Sequence, residues 1–452
     1  MSDRASSVRP ASAVGIGVGL SGLTGLAIWV MIARNFGALA DILGFPGLPE
    51  RASGPNAALL GIIACGAPMI LWSLLIEKVH RRPSAGIDWS LKRPLADVVD
   101  ISIVKITGFW ATWGLIAAVY AVGRFWWETR FADYPFSMQL FEIALVPLIV
   151  LSVPYIVWLD RHLIEPKDGA WHFGAWIAGR DGWDREMIQN HLRAWAVKGF
   201  FLAFMLAIVP PGFSTVVNFD LSEIARNPVW IASALITTMF LVDVQLATVG
   251  YLLTMRPLDS HIRTANPYLA GWVAALICYP PFTLMNGGGP LDYQVATASW
   301  SSWFAEYPAL LAIWGAVLVV LTGVYAYATV AFGLRFSNLT HRGILTHGPY
   351  KWTRHPAYLA KNAYWWAATL PFIVTSGSLT DALRNSALMA LVSAVYYWRA
   401  RTEEKHLLAD PVYQAYYDWS EENAVWRRFL RKFSGGRLGQ RTRPTAEIVP
   451  AE

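Results

Sequence analysis

Two stretches carry the residue types that could do chemistry. The first is Gly348-Pro349-Tyr350-Lys351-Trp352-Thr353-Arg354-His355-Pro356-Ala357-Tyr358-Leu359. The second, about forty residues on, is Arg399-Ala400-Arg401-Thr402-Glu403-Glu404-Lys405-His406-Leu407. Tyrosine faces and carboxylates attract cations, while arginine or histidine suits a carboxylate. Pro349 and Pro356 break regular helix in the first stretch, and Gly343 and Gly348 permit close backbone approach to a ligand. Arg399 and Glu403 are spaced i, i+4, so both fall on one helix face. A tight helical hairpin turning near Ser376 and Gly377 brings that face back to Arg354, His355 and Tyr358. The expected result is a pocket both basic and acidic, walled by Tyr350, Trp352, Tyr358 and Trp365. Such a pocket at a membrane boundary gives a polar cofactor access from water and an apolar acceptor access from the bilayer. Taken singly, each piece has an ordinary role. An Arg–Glu pair beyond a span is usually a weak surface ion pair, and boundary aromatics are usually anchors. Only the joint arrangement points to a site.

The elements that must position these residues are membrane helices. Of 452 residues, 55% are hydrophobic and 15% charged, and the mean hydropathy is +0.37; soluble domains carry about 25% charged residues. Apolar runs recur at roughly 13–33, 57–77, 102–123, 138–159, 195–211, 229–254, 268–285, 308–333, 362–376 and 383–399. This predicts an all-α polytopic protein of about ten transmembrane helices, since backbone groups in lipid must pair internally. No strand-like alternation supports a barrel. Most of the 37 Lys and Arg fall in segments that are inside if the N-terminus is inside, which predicts N-in, C-in topology. Lys105 and Lys198, near inner helix ends, are expected to snorkel. The net charge of +6 reads as loop charge rather than as a nucleic-acid surface. Cys65 and Cys278 lie in apolar segments, which disfavours a disulfide and excludes a cysteine metal site; no metal is expected. No phosphate-binding glycine motif follows a strand, and none is expected. The chain divides into a cytoplasmic tail (1–12), a multi-span region of unassigned role (13–300), the polar-cluster module (308–430) and a Gly-, Arg- and Pro-rich tail (433–452) that reads as disordered. The loop 160–194, with Trp171, Trp176 and Trp183, reads either as an interfacial helix or as a plain connector. Asp243, mid-span beside Gln245, reads either as a functional carboxylate or as one bonded within the bundle.

The residues Gly348-Pro349-Tyr350, Arg354-His355-Pro356-x-Tyr358, a short hairpin, Glu403-Glu404-x-x-Leu407 and Tyr413-x-x-Tyr416 or Tyr417 resemble the signature of integral-membrane methyltransferases. These are the isoprenylcysteine carboxyl methyltransferases and the related phospholipid methyltransferases. The resemblance covers about residues 308–430 and implies S-adenosyl-L-methionine as methyl donor. It implies that Tyr350, His355, Pro356, Ala357, Tyr358 and Glu403 contact the cofactor, together with the backbone of Gly343, Ile344 and Leu345. Arg399 matches an acceptor-side arginine, Arg354 is a second candidate near the methyl group, and Glu404 joins these two as a candidate catalytic residue. The implied partner is a lipid or lipidated acceptor, carrying a carboxylate, amine or thiol, that enters from the bilayer. The implied location is a bacterial inner (plasma) membrane, with the site on the cytoplasmic side. Lys361 and Asn362 depart from the family pattern, which leaves the acceptor open. The competing readings are a transporter, supported by Asp243, or an assembly protein that binds a membrane partner through the 160–194 loop, either carrying an inactive module.

Overall fold

The computed structural model describes residues 8–127, 134–224 and 226–423. The expected tail 433–452 and residues 1–7 of the N-terminal tail lie outside the described residues. The chain forms helices α1 (Ile16–Arg34), α2 (Phe36–Ile42), α3 (Pro55–Leu71), α4 (Leu95–Trp127), α5 (Tyr134–Asp160), α6 (Gly169–Ile177), α7 (Arg185–Val217) and α8 (Leu221–Ile224). There follow α9 (Pro228–Leu252), α10 (Leu269–Leu276), α11 (Trp300–Trp303), α12 (Pro308–Phe332), α13 (Pro356–Thr369), α14 (Leu379–Leu407) and α15 (Pro411–Asn423). One two-stranded antiparallel ribbon, which the apolar pattern did not predict, pairs β1 (Thr264–Ala265) with β2 (Thr340–His341).

Among the described residues seven helices are long and apolar enough to cross a membrane: α1, α3, α4, α5, α7, α9 and α12. The other three expected spans differ for physical reasons. The run at 268–285 is helical only over α10, because the prolines at 280 and 281 cannot continue a helix. The run at 362–376 belongs to α13, whose 14 residues reach about 21 Å at 1.5 Å per residue, short of a roughly 30 Å core. Leu370 in the left-handed region ends that helix just before Pro371. The run at 383–399 lies within α14, which is long but carries Arg384, Asn385 and the polar cluster.

The apolar helices pack α12 against α9, α1 against α3, and α7 against α9. Small residues permit the close crossings. A Cβ on Gly19 of α1 would stand 1.8 Å from the Val330 carbonyl oxygen of α12. Lys105 does not snorkel. Its Nζ lies 2.5 Å from Asp160 and 3.2 Å from Asp168, so a buried ion cluster ties α4 to the end of α5 and the start of α6. In the 160–194 loop only the nine residues of α6 are helical ahead of α7; Trp171 is buried there, while Trp176 and Trp183 are exposed.

The end of the bundle where α9 and α12 finish is fastened by two buried arginines. Arg342 donates to the carbonyls of Ser260 (2.6 Å), Gly250 (2.9 Å), Phe336 (2.7 Å), Leu334 (2.7 Å) and Leu253 (3.4 Å). Arg335 donates to Asp259 at 2.6 Å and to the Arg342 carbonyl at 2.5 Å. Helix ends leave carbonyls without intrahelical partners, and Arg342 meets those at the end of α9 together with those of the turn and loop that follow α12. The substitution Arg342→Lys keeps the charge but offers fewer donors in a different geometry. It should cost about 2–3 kcal/mol, read as a clear fall in thermal midpoint of the purified protein in detergent. An unchanged midpoint would remove Arg342 from this role.

Candidate functional site

The second polar cluster is placed by the α13–α14 hairpin. Pro356 occupies the first turn of α13, where its missing N–H costs nothing. Gly377, with φ +68°, makes the turn, and the Ser378 hydroxyl caps α14 through the Asp381 N–H. Helix α14 then runs on to Leu407. Asp410 accepts from the Val412 N–H at 2.6 Å and starts α15.

The face bearing Arg399 and Glu403 returns onto the loop before α13 and closes a cleft with about 1250 Å³ of empty space, part of it open to solvent. The Tyr358 hydroxyl donates to Glu403. Arg399, 2% exposed, donates from Nη2 to Asn338 at 2.6 Å and lies 3.5 Å from Glu403 through Nε. Its guanidinium sits over the rings of Tyr358 (5.1 Å) and Tyr279 (5.5 Å). The Nε of Arg399 is buried with no hydrogen-bond partner among the described residues, so a buried donor is left over beside the cleft. Lys361 stands among Tyr325, Trp365 and Tyr396 at 5.5, 5.2 and 5.8 Å. Burial holds the phenols of Tyr350, Tyr358 and Tyr413 well above their usual range, so they present neutral rings and O–H groups.

Glu404 has a different job. It does not line the cleft. Its carboxylate accepts from Arg354 Nε (2.7 Å) and Arg401 (2.6 Å), and it contacts His355 Nε2 at 3.1 Å. Arg354 also donates to Ser420 (2.6 Å) and Glu421 (2.8 Å) and covers the Tyr417 ring at 4.1 Å. Glu404 and Arg354 therefore latch the loop, α14 and α15 together. His355 stacks flat on Tyr358 at 5.6 Å, so the latch also sets the Tyr358 ring. Burial pushes the Glu404 carboxyl up, but His355 and Arg354 outweigh it and hold it at about 2.

Gly343, Ile344, Leu345, Tyr350, Arg354, His355, Pro356, Ala357, Tyr358, Arg399 and Glu403 all border this one cleft; of the candidates, only Glu404 lies outside its lining. Trp352 and Trp365 are not in the wall either. Trp352 is 45% exposed, and Trp365 packs edge-on against Tyr396. Tyr279, Tyr396, Tyr413 and Tyr416 take their place. The close approach at Gly343 is to protein rather than to a ligand. Its φ is +109°, and a Cβ there would stand 2.2 Å from the Arg335 guanidinium. Of the two departures from the family pattern, Lys361 borders the cleft and Asn362 does not. Sequence reasoning missed Asn338, which fixes Arg399, and Tyr279, which stacks beneath it. Tyr279 is far from the motifs in the chain, and Asn338, though only five residues before Gly343, carries no motif of its own; the fold brings both to Arg399. Asp243 is buried in α9 and accepts from the hydroxyls of Tyr325 (2.6 Å) and Thr329 of α12. Both of its oxygens are thereby engaged within the bundle.

Residues 310–409 match the model of the isoprenylcysteine carboxyl methyltransferase (ICMT) family. The match begins in α12 and ends just past α14, and so spans both polar clusters. It supports a membrane methyltransferase in this part of the chain. No curated protein and no solved structure matches the chain.

Removing one partner of a buried ion pair leaves the others uncompensated, at a cost of about 3 kcal/mol. Glu404→Gln should therefore lower the thermal midpoint sharply, whereas Glu403→Gln, on the cleft side, should change it little. The pH sign follows from the depressed carboxyl. Glu404 contributes fully above its ordinary value of 4.5, and that contribution is lost as pH falls toward about 2. Thermal midpoints measured from pH 7 to pH 3 should fall more steeply below pH 4.5 for the wild type than for Glu404→Gln. Parallel curves would sink the latch.

Proposed function

We propose that the chain catalyses transfer of a methyl group from S-adenosyl-L-methionine to a hydrophobic, membrane-resident acceptor, in a cleft on the cytoplasmic side of a plasma membrane. The observation that carries this reading is the cleft lined mostly by the family-matched segment, which sets a carboxylate and tyrosine faces beside a buried arginine with a donor to spare. S-adenosyl-L-methionine, when bound, supplies an electrophilic methyl group on a sulfonium sulfur and carries both charges on its amino-acid head. The residues present suit such a group. Glu403 and the rings of Tyr358, Tyr350 and Tyr413 offer the anionic and aromatic surface that cations prefer. His355, Pro356 and Ala357 and the backbone at 343–345 would complete the cofactor side.

Arg399 and Lys361 lie on the deeper, aromatic side of the same cleft. Two cations there favour an acceptor whose nucleophile is anionic, a carboxylate or a thiolate, and would keep it ionised. Positioning is the main task in a displacement at a methyl carbon and contributes several kcal/mol. Arg399 is well built for it, because Asn338 fixes its guanidinium through Nη2 at 2.6 Å while Nε stays without a hydrogen bond. Arg354 and Glu404 act through the residues they hold. In this reading the module spans 308–430, and the helices of 13–300 carry it in the bilayer and brace its cleft through α9.

Calorimetric titration of the detergent-purified protein with S-adenosyl-L-methionine should give saturable binding. Glu403→Gln should weaken it about tenfold, the usual worth of a charge-assisted hydrogen bond. Arg399→Lys should leave cofactor affinity near wild type but slow transfer of labelled methyl into lipid extracts by roughly a hundredfold, through lost orientation. Absence of binding by well-folded wild type at millimolar donor would overturn the reading.

A further inference from the structure

Two cavities outside the cleft meet at one residue pair. The first is an apolar groove between α4, α5 and α7, with about 2150 Å³ of empty space. Trp113, Ile116, Phe141, Leu145 and Leu202 form much of its wall, with Gln139 and Glu142 as polar members. The second is a polar chamber where α4 begins, α5 ends and α9 passes into the loop 253–263, with about 1020 Å³ of empty space, part of it open to solvent. Trp195 and Lys198 of α7 line both.

The charges of the chamber do not cancel. Lys105, Lys198, Arg256 and Arg263 face Asp160 and Asp168. Lys105 occupies both carboxylates at 2.5 and 3.2 Å. Asp160 also accepts from Ser102 at 2.8 Å, and Asp168 caps α6. Arg263 reaches Asp259 only at 3.8 Å, and Asp259 is already held by Arg335 at 2.6 Å. Among the described residues no carboxylate lies within ion-pair distance of Lys198 or Arg256. Lys198 rests on the Trp195 ring at 3.8 Å, and Arg256 donates to the Ala85 carbonyl at 3.4 Å and feels Asp168 only from beyond ion-pair distance. Unpaired cations at the mouth of an apolar groove are costly unless an anion meets them.

We propose that groove and chamber together bind one anionic membrane lipid, its acyl chain along α4, α5 and α7 and its headgroup against Lys198 and Arg256. The groove lining on α5 runs from Pro135 to Leu148, about 20 Å at 1.5 Å per residue, enough for the acyl chain of one leaflet. A free anion would use the chamber but has no use for the groove, which is why the occupant is a lipid. This site is independent of the methyl-transfer reading, because its residues lie outside the family-matched segment.

The test is native mass spectrometry of the full chain released from detergent micelles doped with equal phosphatidylglycerol and phosphatidylcholine. Wild type should retain phosphatidylglycerol preferentially. Lys198→Gln should retain about fivefold less of it, the loss expected for one lysine at an anionic surface, with phosphatidylcholine unchanged. Ala117→Phe, which fills the groove without touching charge, should lower retention as well. Ten millimolar inorganic phosphate should not displace the lipid. Equal retention of the two lipids by wild type, undiminished retention in both variants, or displacement by phosphate would overturn the proposal.

Discussion

The guanidinium of Arg342 holds the two halves of this molecule in register. It is buried, pairs with no carboxylate among the described residues, and is met by five backbone carbonyls from the end of α9 and from the segments that follow α9 and α12. A charge out of water needs such a shell, because an unpaired buried ion costs several kcal/mol. Carbonyl dipoles supply it, and the same contacts satisfy helix-end acceptors that would otherwise need water. The geometry then propagates. Arg335 binds the carbonyl of Arg342 and fills the space where a side chain at 343 would go. Gly343, Ile344 and Leu345 are thereby fixed as one wall of the cleft.

Adjacent positions on α14 divide the remaining labour. Successive residues on a helix point about 100° apart, so Glu403 and Glu404 cannot serve one surface. Glu403 faces the cleft, is met by Tyr358 and stands near Arg399. Glu404 faces away and is neutralised by Arg354, Arg401 and His355. The two carboxylates differ by function because the helix turns between them. A site that must expose one negative group to a ligand does well to bury its neighbour in a latch.

Much of this was legible before any fold was known. The apolar runs set the all-helical class, and the i, i+4 spacing of Arg399 and Glu403 set the inner face of α14. The prolines at 349 and 356 set the irregular loop opposite. The failures have physical causes. Span counting took 268–285 and 362–376 for bilayer-crossing helices because hydropathy registers composition and not where prolines or a left-handed residue end a helix. Lys105 was expected to reach water, but its partners Asp160 and Asp168 come from elements 55 and 63 residues away. The aromatic wall was assigned to Trp352 and Trp365 because they lie near the motif. The actual rings, Tyr279 and Tyr396, arrive from a separate segment and from one turn earlier on α14. Local pattern predicts which face a residue takes, but not which distant residue meets it.

That limit bears on what the N-terminal spans are for. The segment that matches the methyltransferase family does not make its cleft alone. Tyr279 comes from the chain just after α10. Asn338, which holds Arg399, is itself fixed by the Tyr251 hydroxyl of α9, which accepts from its backbone N–H and its side-chain amide, both at 2.9 Å. Tyr325, on the cleft border, is held by Asp243 of α9. The Ile344 carbonyl accepts from the Ala13 N–H at 2.8 Å, so even the approach to α1 braces the cleft wall. A buried arginine aimed at a ligand must be immobile to be useful, and immobility requires a rigid partner beyond its own helix. Here α9 is that partner. It is also the element whose Tyr251 lines the apolar groove beside Lys198. The bundle is therefore better regarded as the frame that sets Arg399 than as an appended membrane anchor. Tyr251 thus lines the groove while its hydroxyl holds Asn338, which lines the cleft.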